Sequence, residues 1–111
     1  MTTFQVDDTE GDMAIIRAVG RLNMVAAPEL REVVARAVES GKSRLVVDLA
    51  GVEFMDSSGL GALIGALKTT RQAGGDLRIA APGEQVAMVL RLSNVDRILK
   101  PYENADDAFR D

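Results

Sequence analysis

The segment from Asp56 to Gly59 reads Asp-Ser-Ser-Gly and leads into the apolar run LGALIGAL. A carboxylate beside two hydroxyls at the start of a helical pattern suits two kinds of chemistry. One is helix capping, in which Asp56 or Ser57 accepts a hydrogen bond from a free N–H group, worth roughly 0.5–2 kcal/mol, while Gly59 lets the turn pack against a sheet. The other is phosphorylation of Ser57, because a helix N-terminus favours an anion. A phosphoryl group there would add about −1.5 to −2 charges and act as a switch.

Enzymatic chemistry is disfavoured at the same segment. The chain contains no histidine and no cysteine, so a Ser-His-Asp triad, a thiolate nucleophile and an ordinary zinc site cannot be assembled. A nucleophile elbow needs Gly-x-Ser-x-Gly, but Met55 stands at the first glycine position. The glycines that follow are spaced Gly-x-Gly-x-x-x-Gly, which departs from the dinucleotide fingerprint, and the lysine of a phosphate-binding loop is missing. We therefore expect no enzyme activity, no cofactor and no metal.

Composition narrows the class of protein further. The 111 residues are 47% hydrophobic and carry a formal charge of −4, which is typical of one globular domain over residues 1–111. The 13 basic residues are scattered and aromatic residues are few, so a nucleic-acid surface is not expected. No apolar run approaches the about 20 residues of a membrane helix, and no signal peptide opens the sequence. With no cysteine, these features predict a cytoplasmic protein that does not bind membranes.

Apolar periodicity gives an order of elements that could position the serine. An opening hairpin of two strands is followed by alternating helices and strands, which predicts an α/β or α+β sandwich with right-handed crossovers. The second helix is expected from about Ser58 to Arg71. Strands are predicted over TFQVDD, MAIIRAVG, RLVVDLAG, LRIAA and RILK. Helices are predicted with Pro28 in the first turn of the first one, over SGLGALIGALKTTR, after PGEQ and over NADDAF with Asn104 as its cap.

Longer stretches of the chain resemble a known family. FMDSSGLGALIGALK preceded by LVVDLAGVE closely resembles the signature of STAS domains, and within them the stand-alone anti-sigma factor antagonists of bacteria. The similarity extends through GRLNMVAAPEL, AGGDLRIAAP and VLRLSNVDRI, from about Thr3 to Phe109. It implies a mixed sheet of four to five strands with about four helices mainly on one face.

The resemblance also implies a function. It makes Ser57 the phosphorylatable residue, with Asp56 before it and Ser58 beginning the helix. In the family, the unphosphorylated antagonist binds an anti-sigma factor, itself a serine kinase with a histidine-kinase-like ATPase fold, and so frees a sigma factor. Phosphorylation ends the interaction and a PP2C-type phosphatase restores it. The chain would then be a ligand and a kinase substrate.

The loop before the first helix bears on this switch. Asn23 stands where the family commonly has an aspartate and is expected near the phosphoserine pocket, with one negative charge fewer beside Ser57. Arg21 either steadies a phosphate or is a solvated residue at the end of a strand. Met24 and Val25 either contact the kinase or pack over the helix start.

A second function remains open on the same fold. Some small STAS proteins are structural subunits of transporter-associated or stress-signalling assemblies and need no phosphorylation cycle. A neighbouring gene for an ATPase-type kinase or a sigma factor would favour the switch, and genes for a permease and an ATP-binding cassette would favour the subunit.

Overall fold

The computed structural model describes residues 2–9 and 11–109. Within them five strands form one sheet in the order β1-β2-β3-β4-β5, with β1 antiparallel to β2 and the other neighbours parallel. The strands are β1 (Thr3–Asp8), β2 (Met13–Leu22), β3 (Arg44–Met55), β4 (Asp76–Ala80) and β5 (Pro101–Tyr102). The helices are α1 (Ala27–Glu39), α2 (Ser57–Gln72) and α3 (Glu84–Leu92), with 3₁₀ turns at Val95–Arg97 and Ala105–Asp107.

The two faces of the sheet are covered by different parts of the chain. Alternate residues of β2 and β3, such as Ile16 and Val47, share one core cluster with all three α-helices. The residues between them, such as Ile15 and Val46, pack beneath the C-terminal segment around Ala108. The central strand β3 is therefore apolar on both faces, as its unbroken Leu45-Val46-Val47 core suggested. The expected α/β class, the mixed sheet and the placement of the helices mainly on one face are confirmed.

Two predictions near the C-terminus are wrong. RILK is not a strand: Arg97 closes a 3₁₀ turn, and β5 begins only at Pro101. Leu99 is buried, and its N–H donates to the Val95 carbonyl at 2.8 Å, so the local backbone is helical. The expected terminal helix is only a 3₁₀ turn, which leaves three α-helices and not about four. Its predicted cap is confirmed, since Asn104 Oδ1 accepts the backbone N–H of Asp107 at 3.1 Å.

The site is positioned by the parallel pairing of β2 with β3. In that register Leu22 lies opposite Met55, so both strands end at the same edge of the sheet. The loop into α1 and the turn into α2 consequently leave the sheet side by side. Within the described part of the chain, no helix combines the length and the apolarity needed to cross a membrane.

Candidate functional site

Asp56 is the residue that caps α2. Its backbone is extended, with φ −109° and ψ −172°, and its Oδ1 accepts the N–H groups of Ser58 at 2.9 Å and Gly59 at 3.0 Å. These two bonds satisfy free donors of the first helical turn. Because Asp56 is the N-cap, helical backbone starts at Ser57, one residue before the predicted start at Ser58.

Ser57 consequently has no capping task. It occupies the first position of α2, its side chain is exposed, and its hydroxyl makes no hydrogen bond to any residue that the structure describes. The oxygen is open to an incoming group from solvent. Ser58, one residue further, is half-buried. Of the two neighbouring hydroxyls, the first is the more accessible to another protein's active site.

Gly59 lets the start of α2 lie directly against the end of β2. A Cβ atom at this position would stand 2.1 Å from the Leu22 carbonyl oxygen, so only glycine fits. The same carbonyl accepts the N–H of Asp56 at 3.3 Å. The turn that carries Ser57 is therefore anchored to the sheet on the β2 side.

A shallow, mostly apolar depression adjoins the serine. Asp56 and Ser57 form part of its rim, and α2 and α3 supply the rest, which is Leu60, Val89, Leu92 and Ser93. Leu92 is 75% exposed and adjoins Leu60 and Val89, and a contiguous apolar patch with a polar rim is typical of a protein-binding surface. The α3 residues of this depression were not predicted from the sequence. The available signal was the apolar Leu92, which stands three positions after Val89 and therefore on the same side of a helix.

The loop between β2 and α1 is folded by its asparagine. Asn23 Oδ1 accepts the N–H groups of Val25 at 3.1 Å and Ala26 at 3.2 Å, which makes a tight turn. Met24 is 71% and Val25 84% exposed. Both side chains project into solvent, so packing over the helix start does not account for them, and the loop exposes two apolar groups.

Arg21 and Asn23 lie on a different cleft from Ser57. Arg21 places its guanidinium 4.6 Å from the ring centroid of Phe54, a cation–π contact. The cleft that Arg21 and Asn23 line includes the acidic side chains of Glu29 and Glu53, and neither Asp56 nor Ser57 belongs to it. The structure therefore groups the proposed site residues into two adjacent surfaces, which meet at the ends of β2 and β3.

None of the described acidic side chains cluster in threes as a metal site would require. With no histidine or cysteine in the chain, the chemistry available at the site is that of one accessible hydroxyl, one capping carboxylate and exposed apolar groups. Such a set can bind a protein and accept a phosphoryl group.

Comparison with known proteins shows which proteins this chain resembles. The chain is 29% identical over 98 residues to the anti-sigma-B factor antagonist of Staphylococcus epidermidis, covering 88% of this chain and 91% of that one. A Thermotoga maritima protein provisionally named an anti-sigma factor antagonist is 34% identical over 74 residues, or 67% of this chain and 66% of the relative, just under two thirds of its length. The crystal structure of an anti-sigma factor antagonist from Mycobacterium paratuberculosis superimposes with a TM-score of 0.85 at 28% identity, over 97% of this chain and 91% of the other. The family model for the STAS domain matches residues 4–108, and the chain belongs to the STAS domain family.

Proposed function

We propose that this chain, as a single STAS domain in the cytoplasm, is an anti-sigma factor antagonist whose binding is switched by phosphorylation of Ser57. The observation that carries the proposal is the exposed Ser57 hydroxyl, free of any capping role, on the rim of an apolar depression. The names of the Staphylococcus and Mycobacterium relatives support the partner class.

In the unphosphorylated state the depression is the docking surface for the anti-sigma factor. Leu60, Val89 and Leu92 offer apolar area whose burial favours association by about 25 cal/mol per Å². The exposed Met24 and Val25 extend the apolar contact along the same edge of the sheet. The anti-sigma factor is a serine kinase with a histidine-kinase-like ATPase fold, and its capture frees the sigma factor.

Phosphorylation of Ser57 then ends the complex by charge. The phosphoserine brings about −1.5 to −2 charges to the rim, next to the Asp56 carboxylate, and burying it against apolar groups is unfavourable. A hundredfold loss of affinity requires about 3 kcal/mol, which like-charge repulsion and desolvation can supply. Because Asp56 already occupies the N–H groups of Ser58 and Gly59, the phosphate stays on the surface and leaves the helix cap intact. A PP2C-type phosphatase restores the docking surface, and the chain itself supplies no catalytic group.

The switch is tested with purified proteins. The wild-type chain, Ser57→Ala and the matched control Ser58→Ala are each incubated with ATP and every serine kinase of the histidine-kinase-like ATPase fold from the source genome. Mass spectrometry should place one phosphate on Ser57 in the wild type and in Ser58→Ala, and none in Ser57→Ala.

Binding is measured on the same kinases by calorimetry. Ser57→Asp should bind about a hundredfold more weakly than wild type, and Ser57→Ala within about threefold of it. If no kinase modifies Ser57 and Ser57→Asp binds as wild type does, the proposed function is wrong.

A further inference from the structure

The side-chain amide of Gln85 makes two hydrogen bonds to one backbone residue. Gln85 Oε1 accepts the N–H of Met55 at 2.9 Å, and Gln85 Nε2 donates to the Met55 carbonyl at 2.9 Å. The paired bonds fix the orientation of the amide, and they connect the second residue of α3 with the last residue of β3, which lies 30 positions earlier in the chain.

These bonds take the place of the hydrogen bonds that a neighbouring strand would make to Met55. β3 pairs with β4 only as far as Asp48 and Ala80, so the far end of β3 has a strand neighbour on its β2 side alone. The Met55 backbone would otherwise leave both polar groups unpaired on the open side, and the buried Met55 side chain keeps water away. Gln85 occupies the place of a partner strand there.

The same bonds immobilise the peptide unit directly before the cap of α2. Gln85 holds the carbonyl of the Met55–Asp56 peptide, and the Leu22 carbonyl accepts the N–H of that peptide at 3.3 Å. Because this peptide is planar and both its C=O and its N–H are hydrogen-bonded, it can hardly rotate. The direction in which the Asp56 side chain leaves the backbone toward the first turn of α2 is therefore fixed. The orientation of Ser57 follows from that direction.

Gln85 also belongs to the helix that completes the docking depression. Val89, Leu92 and Ser93 lie four, seven and eight residues after Gln85, on the same face of α3. One side chain thus ties the α3 part of the depression to the strand end from which the Ser57 turn departs.

We propose that Gln85 is a positioning residue, which holds the Ser57 turn and the face of α3 in one preorganised recognition surface. It lies outside the rim of the depression and acts through Met55 and Asp56. The effect of Gln85 on phosphorylation of Ser57 rests on the proposed function, whereas its effect on the N-cap of α2 does not. Preorganisation lowers the cost of ordering a surface during binding, so its loss should weaken recognition while the fold is retained.

The first test needs no partner. Amide hydrogen exchange is followed by NMR in the wild-type chain, in Gln85→Met, and in Thr70→Val as the matched control. Thr70 is buried and its Oγ1 donates to the Ala66 carbonyl at 2.8 Å, so the control also loses a side-chain hydrogen bond, but near the other end of α2. In Gln85→Met the Ser58 and Gly59 amides should exchange about tenfold faster, while Thr70→Val leaves them within about twofold of wild type.

The second test uses the kinase that modifies the wild-type chain. Gln85→Met should lower kcat/KM for Ser57 phosphorylation about tenfold, chiefly through a higher KM, at a temperature where circular dichroism shows full folding. Thr70→Val should match wild type. If Gln85→Met does not fold, Gln85→Glu replaces it, because its carboxylate accepts the Met55 N–H but cannot donate to the Met55 carbonyl.

The outcomes separate the two proposals. Wild-type exchange rates at Ser58 and Gly59 in the Gln85 variant would overturn the positioning role, as would phosphorylation kinetics equal to those of Thr70→Val. If no kinase modifies the wild-type chain and Ser57→Asp binds as wild type does, the proposed function fails, and the exchange rates alone decide the role of Gln85.

Discussion

At the scale of the residue, adjacent side chains have separate tasks. Asp56 directs Oδ1 at the N–H groups of Ser58 and Gly59, whereas Ser57 turns its hydroxyl outward. A serine that capped the helix would have to give up its own hydrogen bond before it could be esterified. Assigning the cap to the carboxylate leaves the hydroxyl chemically available at no cost in stability.

The capping role predicts how two substitutions of Asp56 differ. Asp56→Ala removes the acceptor and should lower the free energy of unfolding by about 1 kcal/mol in urea denaturation. Asp56→Asn keeps an oxygen at the same place and should stay within about 0.3 kcal/mol of wild type, since asparagine caps as well as aspartate. Equal losses in the two variants would show that the hydrogen bonds of Oδ1 are not what stabilises the helix start.

At the scale of the element, the contact between the start of α2 and the end of β2 determines where the serine is displayed. The helix approaches the Leu22 carbonyl so closely that no side chain fits at Gly59. Further along the same helix, Gly61 is exposed and a Cβ atom there would meet nothing within 4 Å. Gly59 is therefore required by close packing against β2, whereas Gly61 lies on the surface with room for a side chain.

Alanine substitutions of these glycines should therefore have opposite effects. Gly59→Ala forces the helix away from β2 and should lower the free energy of unfolding by about 3 kcal/mol or more. Gly61→Ala should raise it by roughly 0.5–1 kcal/mol, because alanine loses less backbone entropy in a helix interior. Urea denaturation measures the free energy of unfolding of both variants. A Gly59→Ala protein as stable as wild type would contradict the close contact between Gly59 and Leu22.

At the scale of the whole molecule, the candidate site and the ion pair of Asp12 with Arg44 lie at opposite ends of the sheet. The carboxyl ends of β2 and β3 carry the candidate site. At the other end, Asp12 accepts hydrogen bonds from the Ser43 hydroxyl at 2.7 Å and from Arg44 Nε at 2.7 Å. These bonds tie the β1–β2 turn to the start of β3.

The Ser43 hydroxyl first, and then the Arg44 guanidinium, hold the pKa of Asp12 below its usual value of 3.8.

This lowered pKa predicts a pH dependence with a definite sign. The folded chain binds the Asp12 proton more weakly than the unfolded chain, so the stabilisation is fully present above the usual value and is lost as pH falls through the folded pKa. The difference in unfolding free energy between wild type and Asp12→Asn should be constant from pH 7 to about pH 5 and shrink below about pH 4. Urea titrations of both proteins at several pH values measure this difference in unfolding free energy. A difference that grows on acidification would contradict the assigned cause.

The sequence by itself determined the features that depend on neighbours along the chain. Apolar periodicity placed β1 to β4 and the three α-helices. The Asp-Ser-Ser-Gly turn marked the start of α2 and left open whether Asp56 or Ser57 caps it. Helix capping and apolar periodicity depend on residues a few positions apart, so a short stretch of sequence is enough to predict these elements. The same locality explains the wrong strand at RILK, because the hydrogen bond that gives this segment a helical turn is accepted by Val95, outside the four residues of the motif.

Only the tertiary structure decided which distant residues share a surface with Ser57. The depression joins Ser57 to Val89 and Leu92, Arg21 turns away to the ring of Phe54, and Gln85 reaches across 30 positions to the backbone of Met55. These contacts depend on the register of parallel strands and on how α3 packs against the end of β3. Neither the register nor the packing of α3 can be predicted from a local pattern, because both depend on contacts between residues that are far apart in the sequence.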